Sequence, residues 1–170
     1  MATDKRKSFL FKAQGLSENY QRNITGMGIR VTVDYSKSLA EMIVAGNYDW
    51  QHPDIAAEHF LLIGKGKMEV EIFFSHFGKE MTSNGVITEI DGQDFRPAKI
   101  EELLALGASQ PELQKQFPII ALGSVWQSPS GNRYVPYLLW LDGERRLNLF
   151  RLGRVWDEYL RFACVHKVGN

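Results

Sequence analysis

Polar and apolar residues alternate most cleanly over residues 29–35, IRVTVDY, with Ile29, Val31, Val33 and Tyr35 on one side. A period of two predicts a strand with one buried face. The two glycines just before it, Gly26 and Gly28, suggest a flexible entry. After the strand the period changes. Leu39, Met42 and Ile43 form the apolar stripe of a helix, with Ser36 or Ser38 as its cap and Gly46-Asn47 as its stop. The loop over residues 48–54 then reads as an anchored connection, with Trp50 packed and Pro53 fixing the turn. Residues 55–60 suit either a short helix or an extended piece. Alternation returns over residues 68–75, MEVEIFFS, with Glu69 and Glu71 outward and Met68, Val70 and Ile72 inward. A helix follows over residues 81–90, closed by Gly92. Residues 95–98 are extended, and residues 100–106 are the most strongly helical run, ended by Gly107. Pro111 starts one further helical turn.

From residue 117 onward the apolar runs are short and the turn residues frequent. Ile119, Ile120 and Leu122 form one run, closed by Gly123, and Trp126 belongs to the next. Residues 127–132, QSPSGN, make a strong turn. Residues 134–141 form a strand whose Pro136 argues for an edge position or a bulge. Asp142-Gly143 is a favoured hairpin turn. Leu147 and Leu149 alternate beyond it, Gly153 breaks the chain, and residues 161–166 are the last strand. The pattern predicts an α+β fold: an irregular, mostly antiparallel sheet flanked by helices at 82–91 and 99–107. With 170 residues, no internal repeat and no low-complexity linker, residues 1–170 read as a single domain.

Composition narrows the function classes. The 20 basic and 20 acidic side chains cancel, so no global field favours nucleic acid or an anionic membrane. No apolar run is long enough to span a bilayer. Lys5, Arg6 and Lys7 could touch phosphates, but a short basic run is more often solvated. Phe9-Leu10-Phe11 is too short for the apolar region of a signal peptide. Cys164 is the only cysteine, so no internal disulfide forms and nothing points to an oxidising compartment. A cytoplasmic protein is expected, without a membrane partner.

Candidate chemistry is sparse. His52, His59, His76 and His166 stand in no metal-binding spacing with one another or with Cys164. Gly64-Lys65-Gly66-Lys67 lacks the length and the Ser or Thr of a phosphate loop. Gly123-Ser124 lacks the frame of a serine nucleophile. Asp157-Glu158 reads as an exposed acidic turn. No cofactor, metal or catalytic residue is expected. The enzyme alternative is a site assembled from His59, His76 and a carboxylate.

Aromatic and arginine residues crowd the C-terminal third, a composition found at binding surfaces. Tyr134, Tyr137, Trp140, Asn148, Phe150, Arg151, Arg154 and Tyr159 are the candidate partner-binding residues. Trp126, Val135, Leu138, Leu147, Leu149, Trp156, Phe162, Ala163 and Val165 are the matching scaffold. Arg145, Arg146, Arg151 and Arg154 could track phosphates. The interleaved leucines and flanking Asp142, Glu144, Asp157 and Glu158 favour a protein partner over nucleic acid.

Four pieces between residues 95 and 167 carry a family resemblance. Phe95-Arg96-Pro97-Ala98 leads into Ile100-Glu101-Glu102-Leu103-Leu104, Leu122-Gly123-Ser124-Val125-Trp126 holds a core tryptophan, residues 131–156 are rich in Gly and Arg, and Arg161-Phe162-Ala163-Cys164-Val165-His166-Lys167 closes the chain. This order resembles the C-type-lectin fold, in the branch of formylglycine-generating domains and the variable proteins of diversity-generating retroelements. The resemblance implies a C-type-lectin-like part over residues 95–167 and a strand–helix part over residues 1–94. It implies a ligand- or protein-binding role with a variable surface over residues 132–159. An interaction or inhibitor protein encoded by a phage or mobile element fits equally, as does a nucleic-acid-associated regulator. The calcium-site triplets of sugar-binding lectins are missing, and Cys164 alone cannot supply the metal-binding cysteine pair of the formylglycine-generating enzymes.

Overall fold

The computed structural model describes residues 24–168. The basic cluster Lys5, Arg6 and Lys7 and the apolar triplet Phe9, Leu10 and Phe11 lie outside the described residues. In chain order the elements are β1 (Ile24–Asp34), α1 (Leu39–Gly46), β2 (Trp50–Gln51), β3 (Lys67–Ser75), α2 (Ser83–Gly92), β4 (Phe95–Pro97) and α3 (Ile100–Ser109). A 3-10 turn (Leu113–Lys115) leads to β5 (Ile119–Ile120), β6 (Trp126–Gln127), β7 (Arg133–Leu141), β8 (Glu144–Arg151) and β9 (Arg161–His166).

The described strands form one sheet in the order β1-β3-β9-β5-β7-β8-β2, with β4 also on β9 and β6 also on β7. The pairings are antiparallel except β5–β9 and β2–β8. The fold is therefore α+β with a large, mostly antiparallel sheet. Its closing strand β9 lies between β3 and β5, so residues before and after position 95 share one sheet.

Strand alternation sends side chains to two faces, and both are covered. On one face Val31, Val33, Ile72, Leu138 and Leu147 pack against Leu39, Met42 and Ile43 of α1 and Ile100, Leu103 and Leu104 of α3. On the other, Ile120, Val135, Phe162 and Cys164 pack against Val86 and Ile90 of α2 and against Trp156 and Leu160. Trp156 is fully buried, and its indole N–H donates to Ser83 Oγ at 2.9 Å. Cys164 is equally buried, and burial pushes its thiol up to about 12.

Local chemistry fixes the ends of these elements. Ser38 and Glu41 form a reciprocal capping box on α1, and Asn47 closes the helix in the left-handed region at φ 48°. The N-terminus of α3 is capped from afar: Ile100 N–H donates to Ser124 Oγ at 2.8 Å, and Lys99 N–H to the Glu102 carboxylate at 2.8 Å. That approach requires a glycine. A Cβ on Gly123 would meet the Ala98 carbonyl oxygen at 2.5 Å. The β7–β8 turn places both Asp142 (φ 52°) and Gly143 (φ 78°) in the left-handed region, the type I′ geometry that Asp-Gly favours.

Five expectations need correction. Gly26 and Gly28 do not form a flexible entry. They lie inside β1, at a shift of register between Thr25 and Ile29. Met68 is not inward but 49% exposed. Strand β9 joins β3 only from Ile72, which leaves the start of β3 in a two-stranded ribbon with β1. Trp50 is not packed but 38% exposed, because β2 is a two-residue edge strand paired only with β8. Residues 55–60 are turns rather than a helix or strand. Pro136 is not on an edge strand, since β7 has neighbours on both sides. It is tolerated because it falls between the two short partners on one side of β7. Strand β5 pairs with Tyr137 and Leu138, and β6 with Arg133 and Tyr134. Its carbonyl still accepts from Ala121 N–H at 3.1 Å.

Candidate functional site

The β7–β8 register divides the candidate binding residues. Tyr134 faces Arg151, Val135 faces Phe150, and Tyr137 faces Asn148. Cross-strand partners share a face and successive residues alternate. Tyr134, Trp140 and Arg151 therefore lie on the side of α1 and α3, and Tyr137, Asn148 and Phe150 on the opposite side. The eight residues do not form one surface. Tyr137 packs edge-on against Phe150 at 5.4 Å, and Phe150 against Trp156 at 4.6 Å, so these two belong to the rim of the second core. Burial raises the Tyr137 phenol. Trp140 is 40% exposed beneath the Lys115 ammonium, and Tyr159 is 58% exposed with its hydroxyl donating to Asp157. Arg154 is exposed in the loop after β8. Tyr134 stacks on Trp126, which stacks on His59.

Arg145 is no phosphate contact. It is 8% exposed, and all five guanidinium donors are filled. Its Nε donates to Pro111 O, Nη1 to Gly46 O and Asn47 O, and Nη2 to Gly107 O and Gln114 Oε1. These carbonyls include those at the C-terminal ends of α1 and α3, where a cation is favoured.

The two histidines of the enzyme alternative are held by different parts of the chain. His59 Nδ1 lies 2.8 Å from the Asp54 carbonyl, and His76 Nδ1 lies 3.3 Å from the Leu160 carbonyl. A carbonyl only accepts, so Nδ1 of His59 is the donor in this contact. Among the described residues no group of three or more His, Cys, Asp or Glu is placed to hold a metal ion.

A concavity lies elsewhere, along β1. A groove of about 440 Å³ is lined by Arg30, Val31, Thr32, Val33 and Asp34 in succession, and across from them by Glu101, Leu104, Ala105, Ala108 and Ser109 of α3. Met42 and Ala45 of α1 complete it. The strand side is informative. Side chains of one strand alternate between faces, so five successive residues can line one groove only along the strand's edge. Among the described residues β1 pairs on one side alone, with β3. Tyr35 N–H, just past the strand, donates to Gly66 O on the β3 side at 2.8 Å. By the alternation of antiparallel pairing, Val31 and Val33 also face β3, and the main-chain groups of Arg30 and Thr32 point into the groove.

The α3 wall shows the helical period, with Glu101, Leu104, Ala105, Ala108 and Ser109 on one face. Glu101 is the buried charge in this wall, at 2% exposure. The Tyr35 hydroxyl donates to its Oε1 at 3.0 Å, and the other oxygen has no hydrogen bond among the described residues. Burial, and then the neighbouring Glu101 carboxylate, push the Tyr35 phenol up to about 12. Glu101 also lines a second cavity of about 330 Å³, shared with His59, Lys99 and Ser124 and rimmed by Leu61, Ile63 and Val125. Leu61 and Ile63 are 79% and 74% exposed. The adjacent Glu102 is used differently. It takes two bonds from Arg96, at 3.0 and 2.6 Å, as well as the Lys99 N–H.

None of the residues expected to bind a partner lines the groove. The sequence did carry signals for it: outward Arg30 and Thr32 in a clean alternation, and small residues at 105 and 108 on one helical face. Whether β1 ends the sheet is not written in its own residues. Compared with family models, curated proteins and solved structures, the chain matches none.

Proposed function

We propose that this protein is a binding protein without chemistry of its own, and that it takes an extended segment of a partner protein as an added strand along β1. One observation carries this reading: the edge of β1 that is unpaired among the described residues faces a helix wall across a groove. A segment laid there gains main-chain hydrogen bonds from the edge and side-chain contacts from α3, the two components of recognition by strand addition. The groove's charges are mixed, with Arg30 and Lys37 against Asp34 and Glu101, which favours a polypeptide over a polyanion. A host protein and a mobile-element-encoded inhibitor would both fit.

The C-type-lectin-like relationship of residues 95–167 is part of the same proposal. Pairing of β4 with the closing strand β9 supports it, as does the ion pair between Arg96 of β4 and Glu102 of α3. The binding surface moves from residues 132–159 to the β1 edge.

The test is hydrogen exchange at single-residue resolution with a partner captured from the native host. The amides of Arg30 and Thr32 should gain protection in the complex, and Thr32→Pro should abolish binding while the fold is retained. A complex that leaves both amides unprotected and tolerates Thr32→Pro removes the proposal.

A further inference from the structure

We infer that the segment taken up along β1 carries a lysine or arginine that meets Glu101 and, two residues along, an aliphatic side chain that fills the space beside Ala105 and Ala108. The inference rests on the strand-addition reading and adds its specificity.

Glu101 leaves one carboxylate oxygen open to two cavities. A carboxylate oxygen that faces open space can exchange its water for a donor brought by a ligand. Glu101 is 2% exposed and accepts one bond, from Tyr35. Its free oxygen belongs to a side chain that lines both cavities. The charges around it are otherwise placed. Arg96 is bonded to Glu102, and the Glu101 charge reaches it only as a weaker field. Asp34 accepts from the main chain and hydroxyl of Ser36. Lys37 lines the strand groove and Lys99 the second cavity, and neither forms an ion pair with Glu101 among the described residues. A donor arriving with the partner completes the carboxylate, and a charged donor forms the stronger bond.

Spacing supplies the second half. Residues 101 and 105 of α3 are separated by about 6 Å along the helix axis. Alternate residues of an added strand, which point to the same side, are about 6.8 Å apart. For a segment running along α3, one side chain sits over Glu101 and the next on that side over Ala105. The methyl side chains of Ala105 and Ala108 leave room there for a branched aliphatic group, and Met42 supplies an apolar neighbour. The wall thus reads charge at one step and bulk at the next.

The test is selection from a random heptapeptide library displayed on phage, followed by fluorescence anisotropy on the enriched peptides. Enrichment of a basic residue two positions from Leu, Ile or Val is expected. Glu101→Gln, which keeps the shape and the Tyr35 contact, should weaken such a peptide about tenfold. It should leave the same peptide with Gln in place of its basic residue unchanged. Ala108→Leu should weaken peptides with the aliphatic residue and spare those with Ala there. N-methylation of alternate peptide amides tests strand addition itself without altering the protein's fold. If N-methylation abolishes binding but Glu101→Gln has no effect, the basic-residue inference is overturned and strand addition stands. If N-methylation has no effect, or no peptide is enriched, both readings fall. A concentration-dependent dimer that Thr32→Pro dissociates would assign the edge to a second copy and overturn the inference.

Discussion

Arg145 and Glu101 are both charged and both nearly out of water, at 8% and 2% exposure, yet the chain treats them in opposite ways. Arg145 lies under the β7–β8 hairpin and spends all five donors on carbonyl oxygens of residues 46, 47, 107, 111 and 114. Nothing is left over for a ligand. Glu101 lies at the β1 end of the molecule with one bond and two cavities beside it. A saturated buried charge holds elements together, and a carboxylate with one oxygen open to a cavity can take a donor from a ligand. The arginine density of the C-terminal third therefore points to architecture at Arg145, and the incomplete carboxylate marks the better site.

The largest effect should come from Arg145→Met. It leaves several buried carbonyls without donors and should cost about 3–5 kcal/mol in urea unfolding. Arg145→Lys should recover less than half of this, since an ammonium has three donors in place of a five-donor fork. A loss below about 1 kcal/mol would break the comparison from its structural side.

Glu102→Ala should come next. It removes the acceptor of two hydrogen bonds from Arg96 and of the Lys99 N–H, at a cost of about 2 kcal/mol in the same measurement. Retention of full stability would mean that the Arg96–Glu102 pair does not hold β4 to α3.

A smaller effect is expected at high pH. The Tyr35 phenol rises from 10.0 to about 12 and the Cys164 thiol from 9.0 to about 12, both first through burial. The unfolded chain gives up these protons at lower pH than the folded chain, so the folded state binds more of them above pH 9. Stability is whole below that pH and should fall as pH rises toward 12. Spectrophotometric titration of Glu101→Gln should place the Tyr35 phenol lower than in the parent, because the carboxylate contributes to the shift. An unmoved phenol would show that Glu101 is not the charge Tyr35 feels.

The smallest effect on stability should be that of Glu101→Gln itself, within about 1 kcal/mol of the parent. A loss comparable to that of Arg145→Met would make Glu101 a structural group and end its candidacy.

Much of the architecture was legible in the chain because it depends on near neighbours. The alternation of Val31 and Val33, the Leu39-Met42-Ile43 stripe, the stop at Asn47 and the Asp142-Gly143 turn each follow from local sterics and periodicity. Trp156 and Phe162 were legible as core. The division of Tyr134 from Tyr137 followed from strand alternation once the register was known, and the register was not legible in advance. Composition alone made Arg145 resemble its exposed neighbours Arg151 and Arg154.

The sequence by itself determined the class of fold, the type of nearly every element and which faces are apolar, since these depend on residues a few positions apart. Only the tertiary structure decided that β9 joins the two parts of the chain, that β1 ends the sheet among the described residues and that α3 stands across from its edge. It alone decided that Arg145 is saturated and Glu101 is not, because satisfaction of a buried charge depends on partners such as Tyr35, 66 residues away from Glu101. Such partners meet through folding, and no local pattern encodes the meeting.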